Sequence, residues 1–140
     1  NFFDVIMRWE VDMNRHGIIT FTWEDNLFIS KVEGPFNELG LTYYSSEIKQ
    51  SVISKGFKQW RRIEVWDEDS IASPATLNIG KELYDWCKSN GCVVEAIVIS
   101  NNIQKHIVKD IFKSKIEIFH SITEAKAWLS AQTGKPATPN

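Results

Sequence analysis

The chain has 140 residues, with 16 Lys and Arg against 18 Asp and Glu and a hydrophobic share of 43%. That balance excludes a disordered chain, which carries fewer aromatics and more net charge. A net charge of −2 also excludes a nucleic-acid binder working through bulk positive charge. A chain of this length makes one domain, with a core that requires neither disulfide nor metal. The unusual feature is aromatic: 6 Trp, 8 Phe and 3 Tyr.

Residues 1–15 carry Phe2, Phe3, Ile6, Met7 and Trp9 with no clear period, and read as an extension that packs on the domain or on a partner. Asp4, Glu10 and Asp12 interrupt them, and no small-residue cleavage site follows, unlike a secretory signal. The chain opens at Asn1, which suggests a trimmed upstream end, with Met13 as a candidate internal start. No window reaches the 18 to 20 apolar residues of a membrane helix. With only Cys87 and Cys92 present, both read as buried structural thiols, and a reducing cytoplasm is the expected compartment.

Ile18 to Trp23 is β-branched and aromatic, as a strand is. Glu24-Asp25-Asn26 supplies turn chemistry, and Leu27 to Glu33 completes a predicted hairpin. After Gly34-Pro35, Asn37 caps a helix with Leu41, Tyr44, Ile48 and Val52 on its apolar stripe, ending near Gly56. Arg62 to Trp66 is the next strand, and Asp67 to Ser73 a loop. Ser73 then caps a helix with Pro74 in its first turn, striped by Leu77, Gly80, Tyr84 and Cys87. Val93 to Ile99 is apolar except for Glu95, as a strand buried on both faces is. Asn101-Asn102 starts a helix with Ile103, Ile107 and Ile111 on one face and Lys105, Lys109 and Lys113 on the other. Ile116 to Phe119 is the last strand, and Ser121 to Glu124 is a capping box for a helix that turns Ala125 and Leu129 inward. Repeated strand–helix order predicts an α/β fold: a mostly parallel five-stranded mixed sheet with an N-terminal hairpin and four helices. The domain is expected over residues 16–131, with a loose tail over 132–140.

His16-Gly17-Ile-Ile, Glu33-Gly-Pro-Phe-Asn37, Trp60-x-x-Ile63, Glu95-Ala-Ile-Val98 and Phe119-x-x-x-x-Glu124-Ala-x-x-Trp-Leu129 follow one another in this order along the β-α repeat. In order and spacing the chain resembles the SpoIIAA-like proteins, a group that includes STAS and STAS/SEC14-type domains. The resemblance implies a β-α superhelix of four turns. It also implies a non-enzymatic role in signalling, partner binding or apolar-ligand binding. In the phosphorylated branch of that group a serine stands where the central strand meets its helix, which makes Ser70 and Ser73 the candidate phospho-acceptor or loop site. Here Ser73-Pro74-Ala75 replaces the usual small residues and Gly, and Asp67, Glu68 and Asp69 repel a phosphate. Ser73 reads better as a helix cap.

Motifs of catalysis are scarce. There is no Gly-x-Ser-x-Gly and no Gly-x-Gly-x-x-Gly. His16, His106 and His120 are scattered without metal-ligand spacing, and no cofactor is implied. Open α/β sheets bind ligands at the C-terminal ends of their strands. That places the candidate binding edge at Phe36, Asn37, Asp67, Asp69, Asn101 and His120. The leading expectation is a non-enzymatic binding or regulatory module that recognises a protein partner or a second copy of itself, as a homodimer. A carrier of lipid or another small apolar ligand is the alternative, and it requires an apolar cavity on the order of several hundred Å³. An enzyme built on His120 with Asp67 or Asp69 requires the imidazole within hydrogen-bond reach of the carboxylate. Some of the Trp residues are expected half-exposed, on a surface that meets a partner.

Overall fold

The computed structural model describes residues 14–113 and 116–133. In chain order the elements are β1 (Ile18–Glu24), β2 (Leu27–Glu33), α1 (Glu38–Lys55), β3 (Trp60–Trp66), α2 (Pro74–Ser89), β4 (Cys92–Val98), α3 (Asn102–Phe112), β5 (Glu117–Phe119) and α4 (Ile122–Thr133). The protein is α/β, as the alternating pattern predicts. Its five strands lie in sequential order, β1 antiparallel to β2 and every later neighbour parallel. Asp25 takes a left-handed φ of 53° to make the tight hairpin turn, a conformation Asp tolerates better than most residues.

Each helix starts on a local polar cap. Asn37 accepts from Gly40 N–H at 2.9 Å, Ser73 from Thr76 N–H at 3.2 Å, Asn101 from Gln104 N–H at 2.9 Å, and Ser121 from Glu124 N–H at 3.1 Å. Each bond satisfies an orphan donor of the first turn and stabilises by about 1 kcal/mol. Pro74, which lacks an N–H, opens α2 at no loss. Gly56 closes α1 at a φ of 68°.

The sheet has two unlike faces. On the front, α1, α2 and α3 cover Phe28, Val32, Trp60, Trp66, Cys92 and Ile97 through Ile48, Val52, Leu83, Tyr84, Cys87, Val108 and Phe112. On the back, α4 is the one helix among the described residues, packing Ala125 and Leu129 against Leu27, Ile63, Ala96 and Val98, with Trp128 tilted on Phe119. Cys87 and Cys92 are free and buried, and burial pushes both thiols up in pKa, Cys87 to about 11. Of the tryptophans, Trp60 and Trp66 are core, while Trp23, Trp86 and Trp128 are half-buried.

Three details differ from the sequence pattern. In α3 the inward residues are Gln104, Val108 and Phe112. Ile107 and Ile111 flank them half-buried, and Ile103 is 67% exposed. The apolar Ile stripe is therefore rotated off the core by one position. In α2, Leu83 and Thr76 are buried where Leu77 and Gly80 were expected to lead. Finally, α4 runs to Thr133, so the expected domain end at 131 falls within its last turn. Expectations for residues 1–13 and 134–140 lie outside the described residues.

Candidate functional site

The C-terminal ends of β2, β3 and β4 lead into loops tied to one another by buried polar side chains. Asp67 stands at the exit of β3. Its carboxylate accepts from Gly34 N–H (3.1 Å), Asp69 N–H (3.0 Å) and Ser70 Oγ (2.9 Å). The little burial it has acts upward on its pKa. The hydrogen bonds from Gly34, Ser70 and Asp69, aided by Lys31, outweigh that and hold it below the ordinary carboxylate value. Ser70 is only 4% exposed, and its Oγ also donates to the Val32 carbonyl at 2.7 Å. Its hydroxyl serves as a clasp between β2 and the β3–α2 loop. Ser73 is the N-cap described above.

Gln104 joins this loop to the next. Fully buried, it donates from Nε2 to the Asp67 carbonyl at 2.6 Å and accepts on Oε1 from Ser100 N–H at 2.8 Å. Ser100 Oγ in turn donates to the Trp66 carbonyl at 2.7 Å, and Asn101 Nδ2 to the Glu68 carbonyl at 3.4 Å. Asn37 reaches the other way. Besides capping α1 it accepts from His16 N–H at 3.0 Å and donates to the Asn14 carbonyl at 2.7 Å. Residues 14–16 therefore lie against the start of α1, so close that a Cβ on Gly40 would collide with the His16 carbonyl. Phe36 N–H donates to the Ile71 carbonyl at 3.0 Å, and a bridge between Phe36 and Ala72 zips the β2–α1 and β3–α2 loops together.

Phe36, Asn37, Asp67 and Asn101 are thus brought into one connected edge. Asp69 contributes its backbone, and its side chain is exposed. His120 stands apart: it is exposed at the end of β5, with β4 between it and β3, and the Asp67 carboxylate is committed to Gly34, Asp69 and Ser70. The structure does not assemble a His120–Asp67 pair. Among the described residues no group of three or more His, Cys, Asp or Glu could hold a metal ion.

Beneath these loops, between the front of the sheet and α2, lies a cavity of about 70 Å³. Its walls are apolar, from Ile19, Val32, Leu41, Leu83, Ile107 and Phe112, and Phe36, Ile71 and Ala72 stand at its mouth. Its floor is charged. Register places Arg62 directly opposite Glu95 across β3 and β4, with Glu64 two residues on along the same face. Arg62 Nη1 lies 3.4 Å from Glu95 Oε1, and Nη2 lies 3.3 Å from Glu64 Oε2. Glu64 Oε1 accepts from Trp66 Nε1 at 3.0 Å, and Arg62 Nη1 also approaches Cys87 Sγ at 3.7 Å. Burial drives the Glu95 pKa up to about 7, and Arg62 restrains that rise without cancelling it. Burial also opposes the charge of Arg62, but Glu95, Cys87 and Glu64 more than restore it and keep the guanidinium ionised.

The sequence pattern misses both Gln104 and this triad. Its one trace is Glu95, a charge inside an apolar strand. A volume of about 70 Å³ holds a few small-molecule atoms, well below the roughly 300 Å³ at which pockets for drug-sized ligands begin. Set against models of known protein families and against curated proteins, the chain shows no significant match.

Among the described residues no helix is long and apolar enough to cross a membrane.

Proposed function

We propose that this chain is a non-enzymatic binding module of the SpoIIAA-like, STAS-related kind, which recognises a protein partner through the C-terminal edge of its sheet. One observation carries the reading. Of the eight exposed large apolar side chains among the described residues, five sit at that edge: Ile18, Leu39, Ile71, Ile103 and Ile122. Ile18 begins β1 opposite Glu33 at the end of β2, and the other four lie in, or directly after, the loops that lead into helices. Exposed apolar side chains gathered on a fixed frame are what a recognition surface requires. The polar side chains beneath them hold that frame: Asp67, Ser70 and Gln104 bond to the loops themselves. The partner is another protein or a second copy of this chain.

A photo-crosslinking residue placed at Ile71 or Ile103, and in parallel at Ile53 or Val93 away from the edge, tests the reading in the producing cell. The expected result is one defined adduct from the edge positions only. Adducts from all four positions alike, or none from the edge, would overturn it. Sedimentation of the purified chain then separates self-association from recognition of a different protein.

A further inference from the structure

The charged floor of the cavity is built asymmetrically. Arg62 brings one positive charge, and Glu64 and Glu95 bring two negative ones. Glu64 is satisfied on both oxygens, by Arg62 and by the Trp66 indole. Glu95 is satisfied on one. Its Oε1 faces Arg62, while its Oε2 is buried with no hydrogen-bond partner among the described residues, in a residue only 6% exposed that lines the cavity. A buried carboxylate oxygen without a donor costs several kcal/mol, so natural cores rarely keep one unmatched. The rest of the lining is mainly aliphatic and aromatic; the Tyr84 phenol is among it but makes no hydrogen bond to Glu95 Oε2.

From this geometry we infer that the cavity is a binding site for a small primary amine, its ammonium group donating to Glu95 Oε2 and its short aliphatic body lying between Leu41, Leu83, Ile107 and Phe112. Each feature of the site matches one feature of that ligand. One added positive charge balances the floor. A buried carboxylate oxygen is a strong acceptor for a charged donor. A volume of about 70 Å³ admits three or four heavy atoms, roughly what two water molecules displace. A carboxylate ligand is disfavoured, because the floor already sets two carboxylates, Glu64 and Glu95, against the one Arg62 guanidinium. Phe36, Ile71 and Ala72, from the two bridged loops, line the cavity, and Ile71 is half exposed. The floor residues lie outside the protein-recognition edge, while Ile71 belongs to both the edge and the cavity lining.

Binding carries a pH signature. The ionisable groups facing Glu95 are Arg62 and Glu64 from β3, Tyr84, Cys87 and Lys88 from α2, and Cys92 from its own strand. Arg62 stays charged, and burial pushes the Tyr84 phenol up to about 12 and the thiols up as well, so near neutrality Glu95 is the group that titrates. An arriving ammonium displaces the Glu95 proton. Affinity therefore rises as pH passes upward through about 7.

The test titrates the purified chain with propylammonium, 1-propanol and propionate, three probes of similar size and different charge. The readout is the indole N–H resonance of Trp66, which donates to Glu64 on the cavity floor. The expected result is a saturable shift with propylammonium, with affinity about tenfold or more above that for propanol, as a charge-assisted hydrogen bond provides. In Glu95→Gln, which keeps the shape, the preference for the amine and its pH dependence disappear together. Equal binding of propanol, preference for propionate, retention of amine binding in Glu95→Gln, or no saturable shift at high-millimolar amine would each overturn the inference. Loss of edge crosslinking would leave it untouched, so the two proposals fail separately.

Discussion

The two ends of the helix-covered face solve opposite problems. At the N-terminal end of the parallel strands, Trp23, Phe28, Phe57 and Trp60 form a continuous aromatic cluster with centroids 4.9 to 6.0 Å apart. Its two indole N–H groups are both matched, Trp23 to Ser51 Oγ and Trp60 to the Asn90 carbonyl, each at 2.9 Å. From the middle of the strands toward their C-terminal ends the same face holds Arg62, Glu95, Glu64 and a cavity. One end is filled and satisfied, and the other is left open and unmatched. Stability concentrates where packing is complete, which frees the other end to carry chemistry that costs stability.

That contrast can be broken from either side. The largest effect is expected at the filled end: Trp60→Ala deletes a fully buried indole and costs about 3–5 kcal/mol in chemical denaturation. A loss below about 1 kcal/mol would mean that the cluster is not the stabilising end. Next comes the charged floor. Glu95 has a folded-state pKa of about 7, above its ordinary 4.5. Its stability contribution is therefore complete below pH 4.5 and is lost as pH rises through about 7, with a slope of at most one proton. Glu95→Gln is expected to flatten that part of the stability–pH curve. An unchanged slope would show that Glu95 is not the titrating group. Asp67, with its pKa lowered, acts in the opposite sense: its contribution is present above its ordinary 3.8 and lost on further acidification.

Smaller changes sharpen the comparison by separating frame from floor. Gln104→Ala strands the Ser100 N–H and the Asp67 carbonyl, at a cost of about 2 kcal/mol and with faster exchange of the Ser100 amide. Slow exchange in that variant would mean that the loops are held by something else. Ser70→Ala removes one clasp and costs about 1 kcal/mol, with the core unchanged by near-ultraviolet circular dichroism.

What the sequence makes legible is what local chemistry decides. Asn37, Ser73, Asn101 and Ser121 each cap an N–H three residues ahead, so the side chain and its partner fall within one reading window. The hairpin turn is equally local. Gln104 is hidden because the Asp67 carbonyl its amide donates to lies 37 residues earlier. Carbonyls of the β3–α2 loop draw an amide into the core, and the Ile103 stripe turns outward to allow it. The Arg62–Glu95 pair is hidden for the same reason: only the β3–β4 register brings positions 62 and 95 together. The position of Phe36, Asn37, Asp67 and Asn101 at strand ends is legible through topology, since strand ends are legible wherever strands are. What each of them does there depends on contacts that a one-dimensional pattern does not contain.

The lone helix on the back of the sheet carries a consequence for synthesis. Strands are laid down in spatial order, each beside its predecessor, so the front layer can assemble unit by unit as the chain leaves the ribosome. The back cannot. Among the described residues, Ile63, Ala96 and Val98 take their helical cover from Ala125, Trp128 and Leu129, among the last to be made. Until α4 emerges, those sheet residues lack the helix that covers them. A chain halted before Ile122 is therefore the form in which this protein would most need a chaperone.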